Sequence, residues 1–282
     1  MSTSADSSEL CENGVWHGQL LPAVPDEHGG VIVDMQEPMD SESFLTALRA
    51  SMLEWKRQGI RGVWIKLPIG LANLVEITVK EGFCYHHAEP TYLMLVFWIP
   101  KTENTLPANA SHRIGVGAIV LNEKREVLAV QEKSGRFQGT GIWKIPTGVV
   151  EQGEDIFTAV VREVKEETGI DTEFLEVLAF RQSHKSFFEK SDLFFICMLR
   201  PLSFDLQKQE LEIDAVQWMP FDEFAAQPFA QKHELFRYIT ELCLAKADRS
   251  YAGFSPKPIT SAFFKGFSYL YFNNQDLNQK MK

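Results

Sequence analysis

Gly-Val-Val-Glu-Gln-Gly-Glu-Asp-Ile-Phe-Thr-Ala-Val-Val-Arg-Glu-Val-Lys-Glu-Glu-Thr-Gly-Ile, residues Gly148 to Ile170, is the stretch on which the reading of this chain turns. Asp155 is placed to start a helix and Gly169 to stop it, glycine being the usual residue just past a helix end. At 100° per residue, Glu163, Glu166 and Glu167 fall in one sector of that helix, and Phe157, Val160, Val161 and Val164 fall in the adjoining one. One side packs and the other is acidic. Carboxylates at i, i+3 and i+4 repel one another and weaken an isolated helix. A divalent cation removes that repulsion, and oxygen ligands of this kind favour hard Mg²⁺ or Mn²⁺, which keep several waters and bridge to substrate phosphates. The alternative is a solvated glutamate face that binds nothing, and the three glutamates by themselves leave both readings open.

Working outward, apolar runs at Ile114–Leu121 and Val127–Gln131, a glycine-rich loop from Ser134 to Gly141 and a short run around Trp143–Ile145 lead into the helix. After it, strands are expected near Phe174–Gln182, Leu193–Leu199 and Val216–Met219, with helices near Asp222 and from Gln231 to Ala245. The layout of residues 113–245 is α+β. Residues 30–100 carry a second, smaller β/α pattern. There Asp40 or Ser41 can cap a helix with Phe44, Leu48, Met52 and Trp55 in one stripe, ending at Gly59. A strand at Gly62–Leu67, a helix with Leu71, Leu74, Val75 and Thr78, and a strand at Tyr92–Ile99 follow. The polar, proline-punctuated residues 101–112 read as a linker. Residues 1–29, without Lys or Arg but with Asp6, Glu9, Glu12, Asp26 and Glu27, are expected to be a disordered acidic leader. The tail, residues 246–282, groups Phe263, Phe264, Phe267, Tyr269 and Tyr271 and is expected to pack on the body or on a partner subunit.

Composition narrows the partners. Of 282 residues, 28 are Lys or Arg and 38 are Asp or Glu, a formal charge of -10, with no basic stripe to displace counterions from DNA or RNA. Nucleic acid is therefore not an expected partner. Nor is a membrane, because the most apolar stretch, Tyr92–Ile99, is far short of the roughly 20 residues a spanning helix needs. Cys11, Cys84, Cys197 and Cys243 are scattered without a C-x-x-C pair, as in a reducing compartment, and cytoplasmic placement is the default.

The spacing of the opening stretch matches the Nudix box, G-x5-E-x7-R-E-U-x-E-E-x-G-U with U a bulky aliphatic, at Gly148, Glu154, Arg162, Glu163, Val164, Glu166, Glu167, Gly169 and Ile170. The chain thereby resembles a Nudix hydrolase, and the resemblance implies an α/β/α sandwich preceded by the smaller domain, which looks like a truncated acetyltransferase-type fold. It also implies that Glu163 and Glu167 are the principal ligands of Mg²⁺ or Mn²⁺, with Glu166 an additional ligand and the main-chain carbonyl of Thr147 another. Arg162 is similar to the family's carboxylate-orienting arginine, Glu154 to its acidic partner, and Glu212 to a loop glutamate that in some members assists the water. Many members have Gly-Gly where this chain has Thr147-Gly148. The reaction implied is hydrolysis of a phosphoanhydride by water, with either Glu163 or Glu166 as proton acceptor.

Further stretches are similar to the plant cytosolic Nudix group that hydrolyses ADP-ribose and NADH: Gly62-Val-Trp-Ile-Lys-Leu-Pro68, Glu81-Gly-Phe-Cys-Tyr-His-His-Ala-Glu89, Leu106-Pro-Ala-Asn-Ala-Ser-His112, Gln131-Glu-Lys-Ser-Gly-Arg-Phe-Gln-Gly139 and Ser191-Asp-Leu-Phe-Phe195. The partner implied is a small nucleoside diphosphate derivative, in a homodimer. Coenzyme A derivatives and long-chain diphosphates are alternative substrates, and a sensor that binds without turnover is the alternative function. For substrate contacts, Phe137, Trp143 and Phe180 are candidates to stack on adenine, and Arg181 and His184 to meet phosphate or ribose, against the alternative that they are core and solvated surface respectively.

Overall fold

The computed structural model describes residues 20–249, 251–260 and 267–273. It divides into two units, residues 1–110 and 111–282, each with its own core.

In the first unit the strands β1 (Val24–Pro25), β2 (Val31–Asp34), β3 (Gly62–Pro68), β4 (Cys84–Glu89) and β5 (Tyr92–Trp98) form one sheet in the order β1-β2-β3-β5-β4. Helix α1 (Ser41–Gln58) joins β2 to β3, which run parallel, and α2 (Val75–Lys80), preceded by a 3₁₀ turn at Ile69–Leu74, joins β3 to β4. The side-chain period of two in β3 sends Val63, Ile65 and Leu67 into the core that also takes Phe44, Leu48 and Trp55 of α1. Asp40 is the cap of α1, its Oδ1 accepting from the backbone N–H groups of Glu42 and Ser43. The expected disordered leader gives way at its end: Leu21 is buried with its N–H donating to Ser51 Oγ, and Val24 and Pro25 pair with Ile32 and Val31. Leu20, Leu21, Ala23 and Val24, broken by Pro22 and Pro25 and followed by Asp26 and Glu27, are too short a run to signal a strand whose partner lies beyond the turn. Residues 1–19 lie outside the described residues.

In the second unit a mixed sheet runs in the order β8-β6-β10-β9, from β6 (His112–Val120), β8 (Thr147–Val149), β9 (Thr172–Phe187) and β10 (Lys190–Pro201). Strands β7 (Glu126–Glu132) and β11 (Ile213–Pro220) pair antiparallel beside it. Helix α3 (Ile156–Thr168) covers one face, and α4 (Phe221–Ala226) and α6 (Glu234–Asp248) cover the other, with the short α5 (Pro228–Lys232) between those two. Alternate residues of β6 and β10 serve the two faces. Val116, Ala118, Val120, Cys197 and Leu199 pack with Ala159, Val160 and Val164 of α3, whereas Ile119, Ile196 and Met198 pack with Phe221, Phe224 and Ile239. This is the α/β/α sandwich expected. The tail contributes β12 (Ser255–Thr260) and β13 (Phe267–Phe272), an antiparallel pair whose Tyr269 ring lies 4.8 Å from that of Phe157, so it packs on this unit. Phe263 and Phe264 lie outside the described residues. Among the described residues no helix is long and apolar enough to cross a membrane.

Cys197 and Cys243 sit in this core, and burial pushes both thiols up to about 12, while Cys84 is exposed on β4. Only a thiolate alkylates readily. Brief treatment of the native protein with iodoacetamide should therefore label Cys84 and spare Cys197 and Cys243 until the chain is unfolded; peptide mass mapping that found Cys197 labelled as fast as Cys84 would contradict this packing.

Candidate active site

The acidic helix is held against the sheet by its own sequence. Its first residue follows Asp155, and it ends where Gly169 turns left-handed at φ 75°, a conformation costly for a side chain and doubly closed here because a Cβ would lie 2.7 Å from Gln207 Cβ. Val160 and Val164 anchor one face, which leaves Arg162 and the three glutamates toward β8 and the loop before the helix.

Arg162 organises the acids. All five guanidinium N–H groups are used: Nε and Nη2 donate to the two carboxylate oxygens of Glu154 at 2.9 Å each, Nη1 to Glu163 Oε1 and to Glu166 Oε2 at 3.0 Å each, and Nη2 to the carbonyl of Val149 at 2.9 Å. The paired guanidinium holds the Glu154 carboxyl below its ordinary range. Glu163 Oε1 also accepts from the N–H of Val149 at 3.1 Å, and burial outweighs these contacts, so its pKa is raised. Glu163 lies in a cradle only glycine leaves open, since a Cβ on Gly148 would come within 1.8 Å of its carboxylate carbon.

Glu167 differs from its neighbours. It is 8% exposed, burial pushes its carboxyl up to about 8 against the nearby charge of Lys144, and its Oε2 is buried without a hydrogen-bond partner. A buried carboxylate oxygen left unpaired is costly, and it calls for a cation. Lys144 does not fill that role, because its buried Nζ is taken by Glu132 Oε1 at 2.7 Å and by Thr147 Oγ1 at 2.6 Å. Among the described residues no three acidic, histidine or cysteine side chains close into a metal cage of their own. The oxygens present, from Glu163, Glu167 and the adjacent main chain of Thr147, fit a hard cation that leaves its remaining positions to water and substrate.

Lys144 and Thr147 also line a cavity of about 820 Å³, within the range of small-molecule sites, together with Arg136, Phe137, Arg181 and Phe194. Of the five substrate contacts expected from sequence, Phe137 and Arg181 thus line it and the other three do not. Trp143 packs into the core beside α4 and α6, Phe180 points out beside Phe195, and His184 lies out on the β9–β10 hairpin, its Nδ1 2.9 Å from Ser191 Oγ. Phe180 alternates with Arg181 and so takes the opposite face of β9, and His184 lies where that strand runs past the buried part of the sheet. Glu212 is exposed just before β11, its N–H donating to Gln209 Oε1, and it is not among the residues that line the cavity. Sequence reasoning missed Lys144, whose lysine in an apolar run ahead of the acidic segment was the available signal, and the cavity wall contributed by α5 and α6.

Replacing Arg162 by lysine keeps the charge and reduces five fixed donors to three on a flexible stem. Loss of such supporting hydrogen bonds lowers metal affinity or activity by roughly 10–100-fold. We expect a drop in kcat/KM of that size in steady-state assays, and an unchanged value would show that the carboxylates need no orienting.

The α/β/α sandwich thus packs its acidic helix against β8, whose Thr147 lines a small-molecule cavity. A family model described as NUDIX domain matches residues 111–239, and one described as Nudix hydrolase domain matches residues 21–99. The chain is 58% identical over 274 residues to Nudix hydrolase 10 of Arabidopsis thaliana, covering 96% of this chain and 97% of that one. It is 59% identical over 261 residues to Nudix hydrolase 2 of the same plant, 93% of each chain. Against human nucleoside diphosphate-linked moiety X motif 6 the identity is 36% over 208 residues, 71% of this chain and 65% of that one. The chain belongs to the Nudix hydrolase family.

Proposed function

We propose that this chain is a pyrophosphohydrolase of nucleoside diphosphate derivatives, dependent on Mg²⁺ or Mn²⁺, that cleaves ADP-ribose to AMP and ribose 5-phosphate and NADH to AMP and reduced nicotinamide mononucleotide. The observation that carries the reading is the buried, unpaired Glu167 Oε2 near Glu163, next to Thr147 at the wall of the cavity. Glu163, Glu167 and the Thr147 carbonyl would hold the cation. When bound, it neutralises charge on the phosphate oxygens and lowers the pKa of the attacking water. Arg162 keeps Glu163 Oε1 turned toward the backbone of β8, which leaves Glu163 Oε2 to the ligand shell. Glu166 has one oxygen on Arg162 and its side chain is half exposed, so Glu166 Oε1 stands free in solvent to take the proton of the attacking water. The choice of ADP-ribose and NADH rests on the stretches outside the box that resemble the plant group acting on them.

Steady-state hydrolysis with millimolar Mg²⁺ or Mn²⁺ across ADP-ribose, NADH, NAD⁺, FAD, coenzyme A and 8-oxo-dGTP tests this. A kcat/KM of roughly 10⁴ M⁻¹s⁻¹ or more for ADP-ribose or NADH, above the rest of the panel, is the expected result. Turnover of none would overturn the reading in favour of binding without hydrolysis, and preference for coenzyme A would overturn the substrate alone.

A further inference from the structure

Three phenylalanines stand outside the packed cores of the second unit and face its cavity. Phe137 comes from the 3₁₀ turn Gly135–Phe137 after β7, Phe229 from α5 and Phe236 from α6. Their rings meet edge to face, Phe229 lying 5.3 Å from Phe137 and 4.8 Å from Phe236 at interplanar angles of 84° and 83°, with the His233 ring 4.1 Å from Phe229 at the exposed rim. None of the three is fully buried and none belongs to either core cluster of this unit, so the cluster is not what holds the sandwich together. Half-buried aromatic rings on a concave wall offer π-faces to a flat ligand.

The wall is also tied to the chemistry. Gln227, immediately before α5, accepts the N–H of Trp143 on Oε1 at 2.9 Å and donates from Nε2 to the Trp143 carbonyl at 3.1 Å, taking the place of a neighbouring strand. Trp143 precedes Lys144, whose ammonium holds Thr147, so one short segment joins the aromatic wall to the strand that abuts Glu163. A substrate spanning this cavity would have a flat ring at the phenylalanines and its diphosphate beside Lys144 and Thr147.

We propose that Phe137, Phe229 and Phe236 form the nucleobase subsite of this cavity, holding the base of a nucleoside diphosphate by stacking while its diphosphate lies at the acidic helix. The proposal rests on the hydrolase reading for the identity of the cavity, but stacking needs no turnover, so binding of the two product halves tests it separately. AMP carries a base on its sugar phosphate; ribose 5-phosphate is the sugar phosphate without the base. Removing one stacking partner from a base weakens binding by roughly 5–150-fold. Calorimetry on the full chain should show AMP binding more tightly than ribose 5-phosphate. Phe229→Ala should weaken AMP within that range and leave ribose 5-phosphate within about twofold, and Phe229→Trp should restore AMP binding. Phe137→Ala, on a turn with no buried residue, should act in the same direction without touching the core. If AMP binds the wild type no better than ribose 5-phosphate, or binds Phe229→Ala and wild type equally, the subsite is wrong even if the chain hydrolyses ADP-ribose. If AMP discriminates as expected while no diphosphate is turned over, the subsite stands and the hydrolase reading falls.

Discussion

Glu167→Gln is expected to lower kcat/KM by roughly three orders of magnitude while leaving the chain folded and, in the presence of a chelator, at least as heat-stable as wild type. Removing a single electrostatic contact to a developing charge costs about 10²–10³ in rate, and in the proposed site Glu167 would supply a full charge to the cation. The stability half of the expectation comes from burial. Desolvation is the largest influence on this carboxyl and drives it up to about 8, outweighing the attraction of Lys144, and one of its oxygens has no partner. Glutamine has the same shape without the charge, so the folded state no longer buries an incompletely compensated carboxylate. Differential scanning calorimetry with and without Mn²⁺ separates the two effects. Wild type should gain in Tm on adding Mn²⁺, because a ligand that binds only the native state stabilises it, and the variant should gain little. Activity retained at more than a tenth of wild type would remove Glu167 from the site.

The difference between Glu167 and its neighbours was not legible in the sequence. The helical period places Glu163, Glu166 and Glu167 in one sector, yet Glu166 ends exposed and Glu167 buried, because what decides is the strand end and Lys144 on the far side of the helix surface. The elements that could be read were those with local causes: α1 with Asp40 as cap, α3 with its glycine stop, and strands whose apolar runs are continuous because both faces are covered. Those that could not depend on distant partners. β1 is two residues long and exists only through β2, and β8 exists only through β6. The sequence places a single helix from Gln231 to Ala245, with Phe229 outside it. The chain instead forms α5 and α6, separated at His233, and Phe229 and Phe236 face a cavity, a property of the tertiary structure alone.

Gly148→Ala carries the second large expected effect, and its logic is the reverse of a core mutation. Gly148 is fixed in place by the pairing of β8 with Val116 of β6, so the backbone cannot retreat from an added methyl group. That methyl would overlap the Glu163 carboxylate, 1.8 Å from its carbon and 2.1 and 2.2 Å from its oxygens. The carboxylate sits at the end of a flexible side chain and can swing away, which confines the loss of stability to its hydrogen bonds with Val149 and Arg162, and Tm should fall by only a few degrees. Function has no such escape. A displacement of about 1 Å in a reacting constellation costs on the order of 10²-fold, and Glu163 would be displaced by more than that, so kcat/KM should fall by at least that factor with a matching loss of Mn²⁺ affinity. The neighbouring residue supplies the control: Thr147→Gly keeps the carbonyl and loses the side chain whose hydroxyl accepts from Lys144, and should stay within about tenfold of wild type. Steady-state rates and Mn²⁺ titration by electron paramagnetic resonance on the pair decide the matter. Were Gly148→Ala to keep full activity and metal affinity, Glu163 would have to act from a position away from β8, and the cradle that Gly148 leaves open would have no part in holding the cation.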